Sequence, residues 1–136
     1  MPKLLVVPAS HIDRAWKDGA HALEASCATS GGDITVDQLK LLLSRGERVL
    51  MRMDEDGVAV GWAVFSFEQL PNKRVLHVYQ LYAPHGHFER FMAETRLLAE
   101  AQGCSAIRCC AKPAQARLYR MRCGFKPVFE TLEVEL

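Results

Sequence analysis

Residues 75–125 read VLHVYQLYAPHGHFERFMAETRLLAEAQGCSAIRCCAKPAQARLYRMRCGF, and their pattern decides the fold. Arg74–Tyr82 is read as the central strand. Ala83-Pro84-His85-Gly86-His87-Phe88 is a tight turn. Phe88, Phe91, Met92, Thr95, Leu98 and Gln102 recur at helical spacing, and Gly103 is placed to stop that helix. Cys104–Cys110 is a further strand. Lys112-Pro113 opens a last helix, with proline in the first turn where its missing N–H costs nothing, and Gly124 closes it. A strand, helix, strand unit of this length is a right-handed crossover between parallel strands.

Working outward, the first half supplies hairpins and covering helices. Lys3–Val7 is a short strand stopped by Pro8. Ile12, Trp16, Ala20, Leu23 and Cys27 make one apolar helical stripe, with Ser10 and Asp13 set as a capping box. Thr35 and Gln38 form a second capping box ahead of Val36, Leu39, Leu42 and Leu43, and Gly46 ends that helix in the left-handed conformation. Arg48–Met53 and Val58–Phe67 form a hairpin across Asp56-Gly57, the dipeptide favoured where φ is positive. Gly61-Trp62 within the return strand marks a bulge or a close approach. Val128–Leu136 alternates and is predicted as the final strand. The order is β-α-α-β-β-β-α-β-α-β, an α/β fold of the α+β kind with a mixed sheet, in one domain spanning 1–136.

Composition narrows the function classes. The net charge is +1 in 136 residues, so no global field draws the chain to nucleic acid or to a membrane surface. No apolar run approaches the ~20 residues of a membrane span. The five cysteines are odd in number and follow no leader-like segment, which predicts reduced thiols in the cytoplasm. None forms a C-x-x-C pair, so spacing gives a zinc site no support, and the cysteines read as small buried hydrophobes. Lys112, Arg117, Arg120, Arg122 and Lys126 make the last helix basic, without the aromatic platform that nucleic-acid binding calls for.

The element order, Gly57 with Gly61-Trp62, and Arg117-Leu118-Tyr119-Arg120-Met121-Arg122-Cys123-Gly124-Phe125 resemble the GCN5-related N-acetyltransferase (GNAT) family over nearly the whole chain. The resemblance implies that the central strand splays from its neighbour and that acetyl-CoA enters the gap. Leu81, Tyr82 and Ala83 would then offer backbone to the pantetheine, and Gly86, His87 and Phe88 would meet the pyrophosphate at a helix N-terminus. The family's phosphate turn carries Gln or Arg, two residues, Gly, one residue, then Gly or Ala. Here only Gly86 matches, Ala83 lacks the polar side chain, and Phe88 places a ring where close backbone approach is wanted. Such degenerate turns occur in small phage-type members.

The central strand has no carboxylate. Its parity puts His77 and Tyr79 on one face and Gln80 and Tyr82 on the other. The resemblance implies a base near this strand, for which His77 is the candidate, with Glu68 after the preceding strand as a second. It also implies a thiolate-protonating tyrosine on the last helix. Tyr119 stands one residue further from Gly124 than is common, which would turn it by about 100° around the helix. Two functions follow: N-acetyl transfer from acetyl-CoA to a small-molecule or protein amine, or the same fold kept without catalysis as a binding or structural module. The second includes a phage accessory protein or a virion component, and a homo-oligomer or virion assembly is a separate expectation for partners.

Overall fold

The structure is a computed structural model and describes residues 2–136. Five strands form one sheet in chain order: β1 (Pro2–Val7), β2 (Val49–Glu55), β3 (Val58–Gln69), β4 (Arg74–Tyr82) and β5 (Ala106–Cys109). The first four pair antiparallel and β5 joins β4 in parallel, as a hairpin series followed by a crossover requires. Helices α1 (Ile12–Lys17), α2 (Glu24–Ala28) and α3 (Val36–Ser44) belong to one face. There Ile12, Leu23, Leu39 and Leu43 bury against Leu50, Trp62 and Val64. Helices α4 (His87–Arg90), α5 (Met92–Ala101) and α6 (Pro113–Cys123) belong to the other. There Phe88, Phe91 and Met92 pack on Met51, Phe65, Leu76 and Val78. Both faces of the sheet are thus covered by apolar contacts, the arrangement that a mixed sheet with a parallel crossover needs.

Local chemistry explains several boundaries. Thr35 and Gln38 form the reciprocal cap: the Gln38 amide donates to Thr35 Oγ1 at 3.2 Å, and the Thr35 amide to Gln38 Oε1 at 3.0 Å. At the other end of α3, Gly46 has φ of 74° and the Glu47 amide reaches the Leu42 carbonyl at 3.0 Å, the six-to-one bond of a Schellman end. The β2–β3 turn is Asp56-Gly57, with φ of 54° and 85°. Asp54, buried beneath it, is satisfied by the Arg52 guanidinium at 2.9 Å and the Gly57 amide at 3.1 Å.

Three sequence expectations change. The long first helix is broken into α1, a 3-10 turn at Ala20–Leu23 and α2. The break is Gly19, with φ of 128°, where the Trp62 indole fills the space a Cβ would take. The apolar stripe survives the break, because Ile12, Ala20, Leu23 and Cys27 all remain buried. Ser10 makes no capping bond; it lies inside a 3-10 turn, Ala9–His11, and α1 starts after it. Finally, residues 128–136 form no strand. Their alternation is real, but no neighbouring strand of this chain pairs with them, and a strand exists only through its ladder. Among the described residues no helix is long and apolar enough to cross a membrane.

Candidate functional site

The site begins with an irregularity in β4. Val64 is opposite Gln80 and Phe65 is opposite Val78, so Tyr79 is an extra residue with no partner across β3. This β-bulge resets the alternation of side chains. Tyr79 and Gln80 therefore meet the same guanidinium: Arg48 lies 3.8 Å over the Tyr79 ring and its Nη1 is 3.5 Å from Gln80 Oε1. The simple parity that placed them on opposite faces fails at this residue. Beyond the bulge, Leu81 and Ala83 belong to the α4–α6 side, where they pack against the core.

The second feature is where β4 and β5 separate. Their parallel pairing runs from Val75–Ala106 to Val78–Cys109 and then stops, whereas β4 continues to Tyr82. Past Val78 the β5-facing edge of β4 has no strand beside it. The strands part at the bulge, leaving backbone donors and acceptors at 79–82 able to pair with an extended guest.

The turn that follows carries consecutive left-handed residues, His85 at φ 59° and Gly86 at φ 74°. Gly86 is the N-cap of α4, and a Cβ built on it meets nothing within 4 Å. The backbone there faces open space, so a ligand can approach it closely. The His87 amide is already engaged by the Pro84 carbonyl. The α4 segment is short, but the Phe91 amide bonds His87 and the Thr95 amide bonds Phe91, which links it to α5 in nearly continuous helical bonding. Ala83 offers backbone only. His87 Nδ1 is 3.0 Å from Arg90 Nη1, and Arg90 also pairs with Glu55, so the nearest guanidinium is held by protein groups.

On the α6 side, Tyr119 points inward. Its ring centroid is 5.1 Å from that of Phe88 and 5.9 Å from that of Phe125, and Arg120, its neighbour, is exposed. The extra residue before Gly124 has not turned it away from the sheet. Burial, with the nearby Cys109 and Cys123 sulfurs, pushes its phenol pKa up, so it stays protonated through neutral pH. The Cys109 thiol, at the last paired residue of β5, is pushed up to about 11, mainly by burial, and behaves as an inert hydrophobe. Phe88 is itself a core residue, only 6% exposed, on an apolar cavity of about 20 Å³ shared with Phe65, Leu76 and Val78. That volume holds about one water. A larger groove, about 240 Å³, lies between β1, β2 and α5, away from the parting strands.

On the α1–α3 side a polar cluster sits below the bulge. Tyr79 donates its hydroxyl hydrogen bond to the Glu68 carboxylate and lies 3.0 Å from Ser66 Oγ. His77 stacks at 4.4 Å from the Tyr79 ring. Glu68 is a half-buried residue inside β3 rather than in the loop beyond it. Burial chiefly lowers the His77 pKa, Glu68 opposes this, and Arg108 and Arg48 add to it, so the imidazole is neutral at neutral pH. Burial first and then the Glu68 bond raise the Tyr79 pKa. The structure brings His77, Glu68 and Tyr79 together on the α1–α3 face of the sheet, with Tyr119 on the other face. Ser66 and Arg48 complete the cluster and were not foreseen, because only the bulge gathers them.

Parting parallel strands next to a bulge, above a turn that opens a helix, is a specific architecture. The fold is that of the GNAT acetyltransferases. A possible acetyltransferase from Clostridium difficile 630 superposes with a TM-score of 0.70 over 100% of this chain and 98% of its own, at 11% identity. A predicted acetyltransferase from Clostridium acetobutylicum, solved with acetyl-CoA, gives 0.68 over 99% and 96%, at 15% identity. Aminoglycoside N-acetyltransferase AAC(6')-Iy in complex with CoA gives 0.67 over 100% and 95%, at 13% identity. No family model and no curated protein matches the sequence. These neighbours share the fold with this chain at 11–15% identity. Its side chains at the turn follow no phosphate-turn pattern.

Proposed function

We propose that this protein is an acetyl-CoA-dependent N-acetyltransferase acting on a small-molecule or protein amine. The observation that carries the reading is the end of β4–β5 pairing at Val78–Cys109 while β4 runs on to Tyr82. Neighbours of the same fold are acetyltransferases, and two of those described are solved with CoA or acetyl-CoA. One, by its name, acts on an aminoglycoside, which supports a small-molecule amine as acceptor.

The residues fit the cofactor through backbone. The free edge at Leu81, Tyr82 and Ala83 is suited to the amides of pantetheine. Gly86, His87 and Phe88 open a helix; the His87 amide already meets the Pro84 carbonyl, and the remaining N–H groups of this first turn with the positive dipole end favour a pyrophosphate. Bound acetyl-CoA supplies the thioester that is the acetyl donor. His77, neutral at neutral pH, is the base that accepts a proton from the acceptor amine. Glu68, Ser66 and Tyr79 hold the imidazole's surroundings in place by hydrogen bonding and stacking. Tyr119 holds a proton at its phenol oxygen near the end of β5 and is the acid for the departing thiolate.

A second reading has one observation in its favour. Phe88, Tyr119 and Phe125 pack ring on ring between α4 and α6, and a module that had lost its cofactor would close its mouth this way. The fold would then serve as a binding or structural part, such as a phage accessory or virion protein.

Thermal unfolding with acetyl-CoA and with CoA separates the two. Ligand at about 100 times its dissociation constant stabilises the native state by about 2.7 kcal/mol. A clear rise in Tm with either cofactor, followed by CoA release in the presence of an amine panel, is the outcome for the enzyme. No shift at millimolar cofactor is the outcome for the module.

A further inference from the structure

Glu94 holds one carboxylate oxygen out of reach of every protein donor. Among the described residues, its Oε2 is the one buried side-chain oxygen or nitrogen with no hydrogen-bond partner. Leaving such an atom alone is costly, so the group calls for a partner. Glu94 belongs to the first turn of α5, where the helix dipole favours a negative charge. The dipole accounts for the residue type but leaves Oε2 unsatisfied. The cation four residues earlier, Arg90, is committed to Glu55 and His87. Arg96 reaches the Cys123 carbonyl instead, at 3.4 Å. None of the described ion pairs involves Glu94.

The same carboxylate lines the groove of about 240 Å³ between β1, β2 and α5, and the other lining residues are all apolar: Leu4, Val6, Met51, Leu97 and Leu98. Spacing builds these walls. Glu94, Leu97 and Leu98 fall on one face of α5, three and four residues apart. Leu4 and Val6 share one face of β1, and Val6 is paired with Met51 of β2. Lys3 alternates to the opposite face of β1, away from the groove. Val6 and Leu97 are 54% and 66% exposed, so the rim is apolar and open to water. The space is smaller than the ~300–1,000 Å³ of a drug-sized site, which suits one short chain. Its occupant needs a charged donor for Oε2 and an aliphatic body for the leucines, Val6 and Met51. We propose that this groove is a binding site for a small aliphatic amine in its ammonium form, separate from the gap beside β4. The ammonium donates to Glu94 Oε2, and the alkyl chain lies along Val6, Met51, Leu97 and Leu98.

The test is a titration of the full chain followed by amide NMR shifts, with n-hexylammonium, n-hexanol, n-hexanoate and methylammonium as probes. Hexylammonium at millimolar concentration is expected to shift Leu4, Val6, Met51, Glu94, Leu97 and Leu98 saturably. Hexanol lacks the charge and methylammonium lacks the body, so each should bind at least about tenfold more weakly. Hexanoate, with the charge reversed, should not bind. Glu94→Gln keeps the side-chain shape and removes the charge. It should fold as the wild type does and lose at least about tenfold in hexylammonium affinity. Leu97→Lys, at an exposed position, tethers an ammonium three residues from Glu94 and should block the probe. Four outcomes overturn the proposal: no saturable shift with hexylammonium, shifts confined to β4 and its turn, hexanol binding as tightly as hexylammonium, or Glu94→Gln binding as tightly as the wild type.

Discussion

Val78 and Cys109 are the last residues that join β4 to β5. One residue later, Tyr79 bulges out of register with β3, so the strand loses its regular partners on both sides at nearly the same level. That coincidence is what makes a gap rather than a frayed end. β4 remains held to β3 through Gln80, Leu81 and Tyr82 while its other edge is open.

Tyr119 packs from α6 against Phe88 and Phe125, and the acid role proposed for it predicts a large loss on removal of one oxygen. Tyr119→Phe keeps the ring contacts with Phe88 and Phe125, so stability should change by less than about 1 kcal/mol. Turnover should fall by about 100-fold or more, the usual worth of a positioned acid. Steady-state kinetics together with a denaturation midpoint check both halves.

With His77 as the proposed base, its titration sets the acid side of the pH profile. Its pKa lies below 6.5 because burial disfavours the charged ring. A base must be neutral, so the rate should rise through a pKa below 6.5 and be level at neutral pH. His77→Gln should remove that limb and lower kcat. The same shift enters stability: its folded pKa is depressed, so the contribution is complete above the unfolded value of about 6.5 and is lost as pH falls from there towards the folded pKa. Unfolding curves between neutral and mildly acid pH should show that loss in the wild type and a shallower one in His77→Gln.

Gly61 is fixed by space. A Cβ there would lie 2.8 Å from the Met53 sulfur and 2.8 Å from the Tyr82 carbonyl oxygen. The methionine can move, but the carbonyl belongs to β4 beside the gap. Gly61→Ala should therefore destabilise by about 1–3 kcal/mol through overpacking and weaken CoA binding as well. Denaturation and calorimetric titration measure the two effects.

Phe88 illustrates what the chain reveals and what it hides. From the sequence its ring looks like an obstruction at the phosphate turn, and Phe88→Gly looks like a way to strengthen CoA binding. In the fold the ring is a core anchor shared with Phe65 and Leu76. Phe88→Ala should cost about 3–5 kcal/mol, and Phe88→Leu less than about 1.5 kcal/mol. Chemical denaturation of the two variants checks the difference.

Local signals were legible because their causes are local. The Thr35–Gln38 cap, the Asp56-Gly57 turn, Pro113 at the start of α6 and the bounds of β4 depend on neighbours within a few residues. The break at Gly19 was not, because the close neighbour there is Trp62 of β3, distant in sequence. The Tyr79 bulge is likewise a relation between two strands, and it moves Gln80 across the sheet and assembles Arg48, Ser66 and Glu68 around Tyr79. The alternation of 128–136 was legible, but alternation states only that a segment can pair, not that a partner lies in the same chain.

Amide hydrogen exchange with and without CoA tests the central claim most directly. If the gap above Val78 and Cys109 receives the cofactor, saturating CoA should slow exchange at Tyr79–Ala83 and at Gly86–Phe88, and leave β1 and β2 unchanged. Unaltered exchange in both stretches at millimolar CoA would contradict the account.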